Sequence, residues 1–247
     1  MQQYYIEKSH QPIIQPHEFD VVQAEFARRK SMGLHYSGGG VFSSRLVCGD
    51  CGGYYGPKVW HSNSKYRRVV WQCNGKFSNE EKCRTPHLME EDIKARFLVA
   101  FNQLLDGKDA PLEDCRIMQG HLTDCSAIDA ELDELLREIA VVTELTQRCI
   151  QENARSAQSQ EEYIERYNGY VARYEKAEAR ADALQEQKKQ RQSRADIIGG
   201  FMFAVHERED GVTEFDIALW LTVVQKATAY HDGRLVFTFQ NGIKIEA

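Results

Sequence analysis

The sequence lacks the features that mark membrane and secreted proteins. No window approaches the ~18 to 20 uninterrupted apolar residues that a membrane-spanning helix needs. The first residues, Met1 to Lys8, have neither the basic and apolar regions of a secretory signal nor the Arg and Ser bias of a transit peptide. We therefore expect a cytoplasmic protein that has no membrane partner and keeps its thiols reduced. Seven cysteines in 247 residues are too few and too unevenly placed for a disulfide scaffold, so their spacing is considered first for metal or redox chemistry.

The net charge of −6 conceals two regions of opposite sign. Residues 21–84 contain 11 Lys and Arg against 4 Asp and Glu, a net charge of +7. Residues 101–247 contain 17 against 27, a net charge of −10. Only the basic front of the chain is therefore a plausible phosphate-binding face.

Residues 128–194 contain almost no helix breakers, with no proline and a single glycine at position 169. Apolar and small residues recur there at alternating intervals of four and three, which is typical of heptads. The first stretch holds Ile128, Leu132, Leu135, Ile139, Val142, Thr146 and Cys149, and the second holds Tyr163, Tyr167, Tyr170, Tyr174, Ala177, Ala181 and Leu184. The pattern predicts an antiparallel coiled-coil hairpin, with one continuous helix that pairs with a second copy as the alternative.

The residues on both sides of these helices predict a small body of strands and helices. Ser37 to Gly40 indicate a flexible linker, and the β-rich runs after Leu46 predict an antiparallel ribbon with a turn at Ser62-Asn63-Ser64. A helix from Glu90 to Leu105 is expected to cover this ribbon. In the tail, Thr213 is the predicted N-cap of another helix, and Asn241-Gly242 predicts the tight turn of a final hairpin that packs on the ribbon and its helix.

The strongest local signal is a set of four cysteines, Cys48-x2-Cys51 and Cys73-x9-Cys83. Two pairs of thiolates on two turns are what tetrahedral Zn²⁺ needs, and four protein ligands make such a site structural and not catalytic. Glycines at 49, 52 and 53 fit the tight turn around the first pair. His61 and His87 are possible competing ligands, whereas Cys115, Cys125 and Cys149 are expected to be small core residues of helices.

The ribbon is basic, with aromatic residues interleaved. Cations at this density can neutralise several phosphates, and the polar side chains of the turn can hydrogen-bond to phosphates or base edges. The alternative is an ordinary solvated face. The candidate DNA contacts on this segment are Arg45, Lys58, Ser62, Asn63, Lys65, Arg67, Arg68, Lys76 and Arg84.

The order of motifs resembles that of the large serine recombinases, a family that includes phage integrases and transposases of mobile elements. The resemblance is carried by Ser9-His10-Gln11-Pro12-Ile13-Ile14, then Phe19, Val22, Gln23 and Arg28-Arg29, then the glycine-rich break and Leu46-Val47-Cys48-Gly49-Asp50-Cys51-Gly52-Gly53. It extends over nearly the whole chain and is most specific between His10 and Cys83.

The resemblance implies a function in site-specific recombination, that is, DNA integration or excision of a mobile element. In that family the zinc domain and the linker before it bind double-stranded attachment-site DNA, and the coiled coil mediates contacts between recombinase protomers. Carried over by position, the linker from Arg28 to Arg45, including Arg29 and Lys30, lies along DNA and the ribbon lies in the major groove. The family's catalytic domain has no counterpart here, so we expect this chain to bind DNA without cleaving it.

The predicted fold class is α+β, a small zinc β-ribbon with covering helices and a long antiparallel coiled-coil hairpin projecting from it. The predicted domains are the end of the recombinase domain at 1–36, a linker at 37–45, the zinc ribbon at 46–127, the coiled coil at 128–194 and the return segment of the zinc-ribbon domain at 195–247.

Two other classes of function stay open as alternatives. An enzyme, either a recombinase in its own right or a thiol redox protein, would need a nucleophile in a defined pocket; a protein-interaction adaptor without DNA binding would need only the ribbon and the coiled coil.

Overall fold

The structure, a computed structural model, describes residues 40–78, 82–155 and 159–247, together with Gln23 and Phe26. The predicted contacts at Arg28, Arg29 and Lys30, and most of the predicted end of the recombinase domain, lie outside these residues. The chain divides into two compact units. The ribbon unit is Met1–Ile117 with Asp196–Ala247, and the hairpin unit is Met118–Ala195.

The described residues include helices of up to 47 residues, the longest being Gln160–His206. Within those residues, none combines the length and the apolar character that crossing a bilayer requires.

The first sheet of the ribbon unit is the predicted antiparallel ribbon. It has three strands in the order β2-β3-β4, namely β2 (Tyr55–Trp60), β3 (Arg68–Cys73) and β4 (Leu88–Met89). A short helix, α1 (Gly75–Ser78), follows β3. The register pairs Tyr55 with Cys73 and Trp60 with Arg68. Residues 61–67 therefore form the turn at the end of the ribbon that lies farthest from Cys73.

The second sheet joins the front of the chain to its tail. It has the order β1-β5-β6-β7, namely β1 (Leu46–Cys48), β5 (Val224–Ala229), β6 (Leu235–Phe239) and β7 (Lys244–Glu246). β1 runs parallel to β5, with Leu46 opposite Ala227. β6 and β7 form the predicted final hairpin, in which Gly242 has a φ of +89° that favours glycine. The tail therefore returns to the ribbon unit, as predicted.

An aromatic core fills the ribbon unit. The ring of Phe42 lies 4.9 Å from that of Trp220 and 5.5 Å from that of Trp71, and Trp220 lies 5.2 Å from Phe97, all between centroids. These four residues come from the residues before β1, from β3, from α2 (Glu90–Asp106) and from α6 (Ile217–Val223). The aromatic cluster thus joins the ribbon, the helix predicted to cover it and the returning tail.

Two sequence predictions in this unit are wrong. Residues 40–45 were predicted to be linker, yet Phe42 is fully buried and Arg45 is 6% exposed. Gly40 is needed for a close approach, because a Cβ there would lie 2.6 Å from the Trp71 ring. The N-cap of α6 is Asp216, whose carboxylate accepts from the amide of Ala218 at 2.9 Å, and not Thr213.

The hairpin unit consists mainly of two long helices. Between α3 (Asp109–Thr123) and the tail lie α4 (Ser126–Arg155) and α5 (Gln160–His206). Arg173 pairs with Glu138 at 2.6 Å and Arg180 pairs with Glu131 at 2.7 Å. From the first pair to the second, the residue number rises from 173 to 180 on α5 and falls from 138 to 131 on α4, so the two helices run antiparallel. The alternative, one continuous helix that pairs with a second copy, is therefore wrong. The fully buried seam positions are Val142, Cys149, Ala177, Ala181 and Leu184. α5 continues past 195 to His206, so the predicted return segment begins inside a helix.

Candidate metal centre and nucleic-acid interface

Four cysteine sulfurs converge in the ribbon unit. The Sγ atoms of Cys48, Cys51, Cys73 and Cys83 all lie within 4.8 Å of one another. The separation is 3.5 Å between Cys48 and Cys83 and 3.4 Å between Cys51 and Cys73. Zn–S bonds of about 2.3 Å in a tetrahedron place sulfurs about 3.8 Å apart. The four cysteines that the spacing predicts therefore form a cluster of the size that zinc requires.

The turn around the first cysteine pair depends on glycine. The amide of Cys48 donates to the carbonyl of Gly53 at 2.8 Å, and the amide of Gly52 donates to the carbonyl of Cys48 at 3.0 Å. Gly52 has a φ of +71°, a conformation that residues with a side chain rarely adopt. This tight turn brings Cys48, at the end of β1, and Cys51 to one site.

The protein surrounding the cluster shifts the acidity of its thiols in opposite directions. Desolvation raises the pKa of Cys73 and of Cys51. At Cys83 desolvation acts to raise the pKa, but hydrogen bonds from the hydroxyl and amide of Thr85, together with those from Cys48 and Cys51, lower the pKa to about 7. A thiolate is the form that binds a metal, and a bound divalent cation favours that form at every ligand.

The remaining cysteines and the two candidate histidines lie elsewhere. Among the residues that the structure describes, the metal-sized cluster consists of the four cysteines. Cys115 and Cys149 are buried within helices, as predicted, and Cys125 is half-buried. The ring of His87 packs against that of Trp60, with the centroids 4.7 Å apart. The structure therefore gives no support to histidine ligands.

The turn between β2 and β3 and the strand residues beside it carry a group of exposed polar and cationic side chains, which we call the basic turn. Lys58, Lys65, Arg67 and Arg68 are all exposed, and so are Ser62 and Asn63. No Asp or Glu occurs in the sequence from 51 to 79. The basic turn lies about 17 Å from the cysteine end of the ribbon, given the ~3.3 Å rise per strand residue. Six of the predicted DNA contacts therefore share one acid-free end of the sheet.

Aromatic rings support the cations of the basic turn. The guanidinium of Arg68 lies 5.4 Å from the ring centroid of Trp60, the residue opposite it in the ribbon, and the ammonium of Lys65 lies 5.3 Å from that of Tyr66. Trp60 thus has Arg68 and His87 as neighbours. His87 and Tyr66 are additional members of this surface, and the aromatic interleaving of the sequence was the only signal for Tyr66.

Three of the predicted DNA contacts stand apart from the basic turn. Lys76 lies in α1, three residues after Cys73, and Arg84 directly follows Cys83. Both residues therefore lie close in sequence to ligands of the cysteine cluster. Arg45 is buried, and its Nη1 donates to the carbonyl oxygens of Leu221 at 2.7 Å and Val224 at 2.5 Å. The prediction for Arg45 is therefore wrong, because its guanidinium holds the tail against β1.

The fold and the site together define a β-ribbon with a four-cysteine cluster that could hold a metal ion. Residues 41–102 match the family model described as "Recombinase zinc beta ribbon domain". This segment contains all four cysteines and the whole basic turn. This segment thus matches a recombinase zinc ribbon, which agrees with the zinc ribbon that the resemblance predicts here.

The second comparison is with solved structures, and the third is with curated proteins. The chain is similar to a solved structure described as "Crystal Structure of a LSR-DNA Complex", with 18% sequence identity and a TM-score of 0.31. The similarity covers 93% of this chain and 65% of that chain, so this chain spans less than two thirds of the length of that protein. No curated protein matches the sequence.

Proposed function

We propose that this chain is the DNA-binding and protomer-interaction region of a site-specific large serine recombinase, with structural Zn²⁺ and without a catalytic serine. Its role is integration or excision of a mobile element at double-stranded attachment-site DNA. The observation that carries the proposal is the family match of residues 41–102 to a recombinase zinc ribbon whose tip is the basic turn. The steps below give the physical support.

A zinc ion bound by the four cysteines would make the ribbon rigid, and this supports the proposal. A three-stranded ribbon buries little apolar surface of its own, and a bound metal supplies folding free energy directly. The ligands would be Cys48, Cys51, Cys73 and Cys83, which hold the end of β1, the end of β3 and the segment after α1 together. The basic turn then projects from a scaffold whose strands are fixed in register.

The basic turn has the composition of a phosphate-binding surface. Four exposed cations without an acidic neighbour in sequence attract a polyanion, and Ser62 and Asn63 can donate to phosphate oxygens or base edges. A two-stranded ribbon fits within the major groove of B-DNA, which is about 12 Å wide. Because Arg68 already lies over Trp60, it loses less side-chain freedom when it binds.

The hairpin unit is suited to protein contacts and not to DNA. Residues 118–195 contain 15 Asp and Glu against 11 Lys and Arg, a net charge of −4 that disfavours phosphate. Leu136, Val141 and Ile164 of this unit are apolar and are nevertheless 53%, 50% and 52% exposed. Such apolar side chains on an acidic hairpin support contacts with another recombinase protomer.

Salt-dependent binding of duplex DNA tests the proposal. Each phosphate contact contributes about −0.9 to the slope of log affinity against log salt concentration. Replacing Arg67 and Arg68 together by alanine is expected to flatten that slope by up to about two units. Fluorescence anisotropy with a labelled duplex, begun at low salt, measures the slope.

The matched control removes two exposed cations from the other sheet of the same unit. Lys226 on β5 and Lys244 on β7 are both exposed, and replacing them by alanine changes the net charge by the same amount. This variant is expected to keep the wild-type slope. Equal effects of the two double variants, or no binding to any duplex at low salt, would instead favour the adaptor without DNA binding.

A further inference from the structure

Thr85 is a fully buried residue at the cysteine cluster that neither the cysteine spacing nor the family match assigns a role. Its side chain is 0% exposed. Its hydroxyl oxygen lies 2.8 Å from Sγ of Cys48 and 2.8 Å from Sγ of Cys83. The third neighbour, Oδ2 of Asp50, is farther away at 3.4 Å. The hydroxyl thus lies between two ligands that come from distant parts of the chain.

The chemistry of a zinc-bound thiolate dictates what this hydroxyl does. A thiolate has no proton and can only accept, whereas a threonine hydroxyl has one proton to donate. The hydroxyl has three acceptors within reach, Sγ of Cys48 and of Cys83 at 2.8 Å and Oδ2 of Asp50 at 3.4 Å, and the two shorter contacts favour donation to a sulfur. Four thiolates around one Zn²⁺ carry an excess of negative charge, so a donor in this position stabilises the loaded site.

The other sulfurs receive their hydrogen bonds from the backbone. The backbone amide of Gly53 acts to lower the pKa of Cys51, and that of Gly75 acts to lower the pKa of Cys73. Cys83 has the amide of Thr85 as well as its hydroxyl. Thr85 thus offers the cluster a side-chain hydroxyl that can be changed without altering the backbone.

We propose that Thr85 is a positioning residue of the metal centre, whose hydroxyl orients the thiolates of Cys48 and Cys83 and increases the affinity of the site for zinc. The inference rests on the zinc assignment made above. Groups that hydrogen-bond to metal ligands commonly change metal affinity about 10- to 100-fold when removed. Thr85→Val and Thr85→Ala are therefore expected to weaken zinc binding within that range, and Thr85→Ser is expected to restore it.

The experiment is a competition of the full chain with a chromophoric chelator for Zn²⁺, together with the absorption spectrum of the Co²⁺-substituted protein. Without the hydroxyl, the thiolates become more electron-rich, so the sulfur-to-cobalt charge-transfer band is expected to move to longer wavelength in the Val and Ala variants but not in the Ser variant. Thr238→Val is the control, because Thr238 is a buried threonine of β6, 5% exposed, that is not part of the cluster.

The outcomes distinguish the alternatives. Ala and Ser at position 85 differ by one oxygen atom, so a difference between them in affinity and in the cobalt band supports the proposal even if valine disturbs the fold. Equal affinities of the Ala and Ser variants, or an unchanged cobalt band, overturn it, since packing alone would then explain any loss. Wild-type protein that binds no zinc overturns the metal assignment itself.

Discussion

The ribbon unit gathers aromatic rings and four cysteine sulfurs at a few buried points, whereas the hairpin unit spreads its contacts along two helices. Phe42, Trp71 and Trp220 are fully buried in the ribbon unit. The hairpin seam is narrow, and two of its fully buried residues are Ala177 and Ala181. Replacing one of these cysteines or aromatic residues should therefore destabilise the ribbon unit strongly. Replacing one seam residue should destabilise the hairpin unit by a smaller amount.

The two units also differ in what their exposed cations contact. The basic turn has exposed cations supported by aromatic rings, with Arg68 over Trp60. In the hairpin, Arg173 and Arg180 pair with carboxylates of the opposite helix at 2.6 and 2.7 Å. These two hairpin cations thus bind carboxylates across the two helices, whereas Arg68 of the basic turn packs against an aromatic ring.

The largest expected effect is that of Cys51→Ser. Cys51 is exposed, so without a metal this change would cost little. As a zinc ligand, its loss removes folding free energy on the order of 10 kcal/mol and unfolds the ribbon. Elemental analysis and limited proteolysis measure the result.

Cys149→Ser is the matched control for that change. Cys149 is 3% exposed and belongs to the hairpin seam, so its replacement should leave the zinc content unchanged. Less than about half an equivalent of zinc in wild-type protein would contradict the metal assignment.

A smaller effect is expected from Leu184→Ala in the hairpin. Leu184 is 2% exposed, and truncating a buried leucine costs about 2 to 5 kcal/mol. Hydrogen exchange should speed up in α4 and in the hairpin part of α5, while the zinc content stays at the wild-type level.

Leu136→Ala provides the comparison, because Leu136 belongs to the same hairpin and is 53% exposed. Its replacement should change stability by no more than about 0.5 kcal/mol. Equal losses for the two leucines would mean that the seam is not where the structure has it.

How far the sequence predicts this molecule depends on how local each signal is. Cysteine spacing predicts the four sulfurs of the metal cluster, since the ligands of each pair are close in sequence. Heptad spacing predicts the two hairpin helices, and the fourteen heptad positions are all buried or half-buried. Both signals come from neighbouring residues and need no knowledge of the tertiary fold.

The N-cap error at Thr213 is local, but the errors at residues 40–45 involve contacts between distant segments. The parallel pairing of Leu46 with Ala227 has no local signature, and Arg45 looks like a surface cation until the tail brings the carbonyl of Val224 to it. A single threonine such as Thr85 has no pattern that marks it as a neighbour of two cysteines. Long-range pairing therefore accounts for what the sequence left undetermined.

The smallest effect expected is that of removing most of the hairpin on the affinity of the monomer for DNA. Deleting Ala130 to Ala183 and closing the gap with a short linker is feasible because Glu131 and Arg180 already pair across the two helices. Zinc binding and monomer affinity should be preserved, since the basic turn is intact. Sedimentation on DNA should show weaker association between chains; loss of DNA binding with a folded ribbon would contradict this division of labour.

Hydrogen–deuterium exchange of the full chain with and without duplex DNA tests the central claim most directly. If the ribbon binds DNA, exchange at low salt should slow in β2, in the basic turn and in β3, that is, across residues 55–73, and stay unchanged across residues 130–183. Protection confined to the hairpin, or no protection anywhere at saturating duplex, would contradict the account.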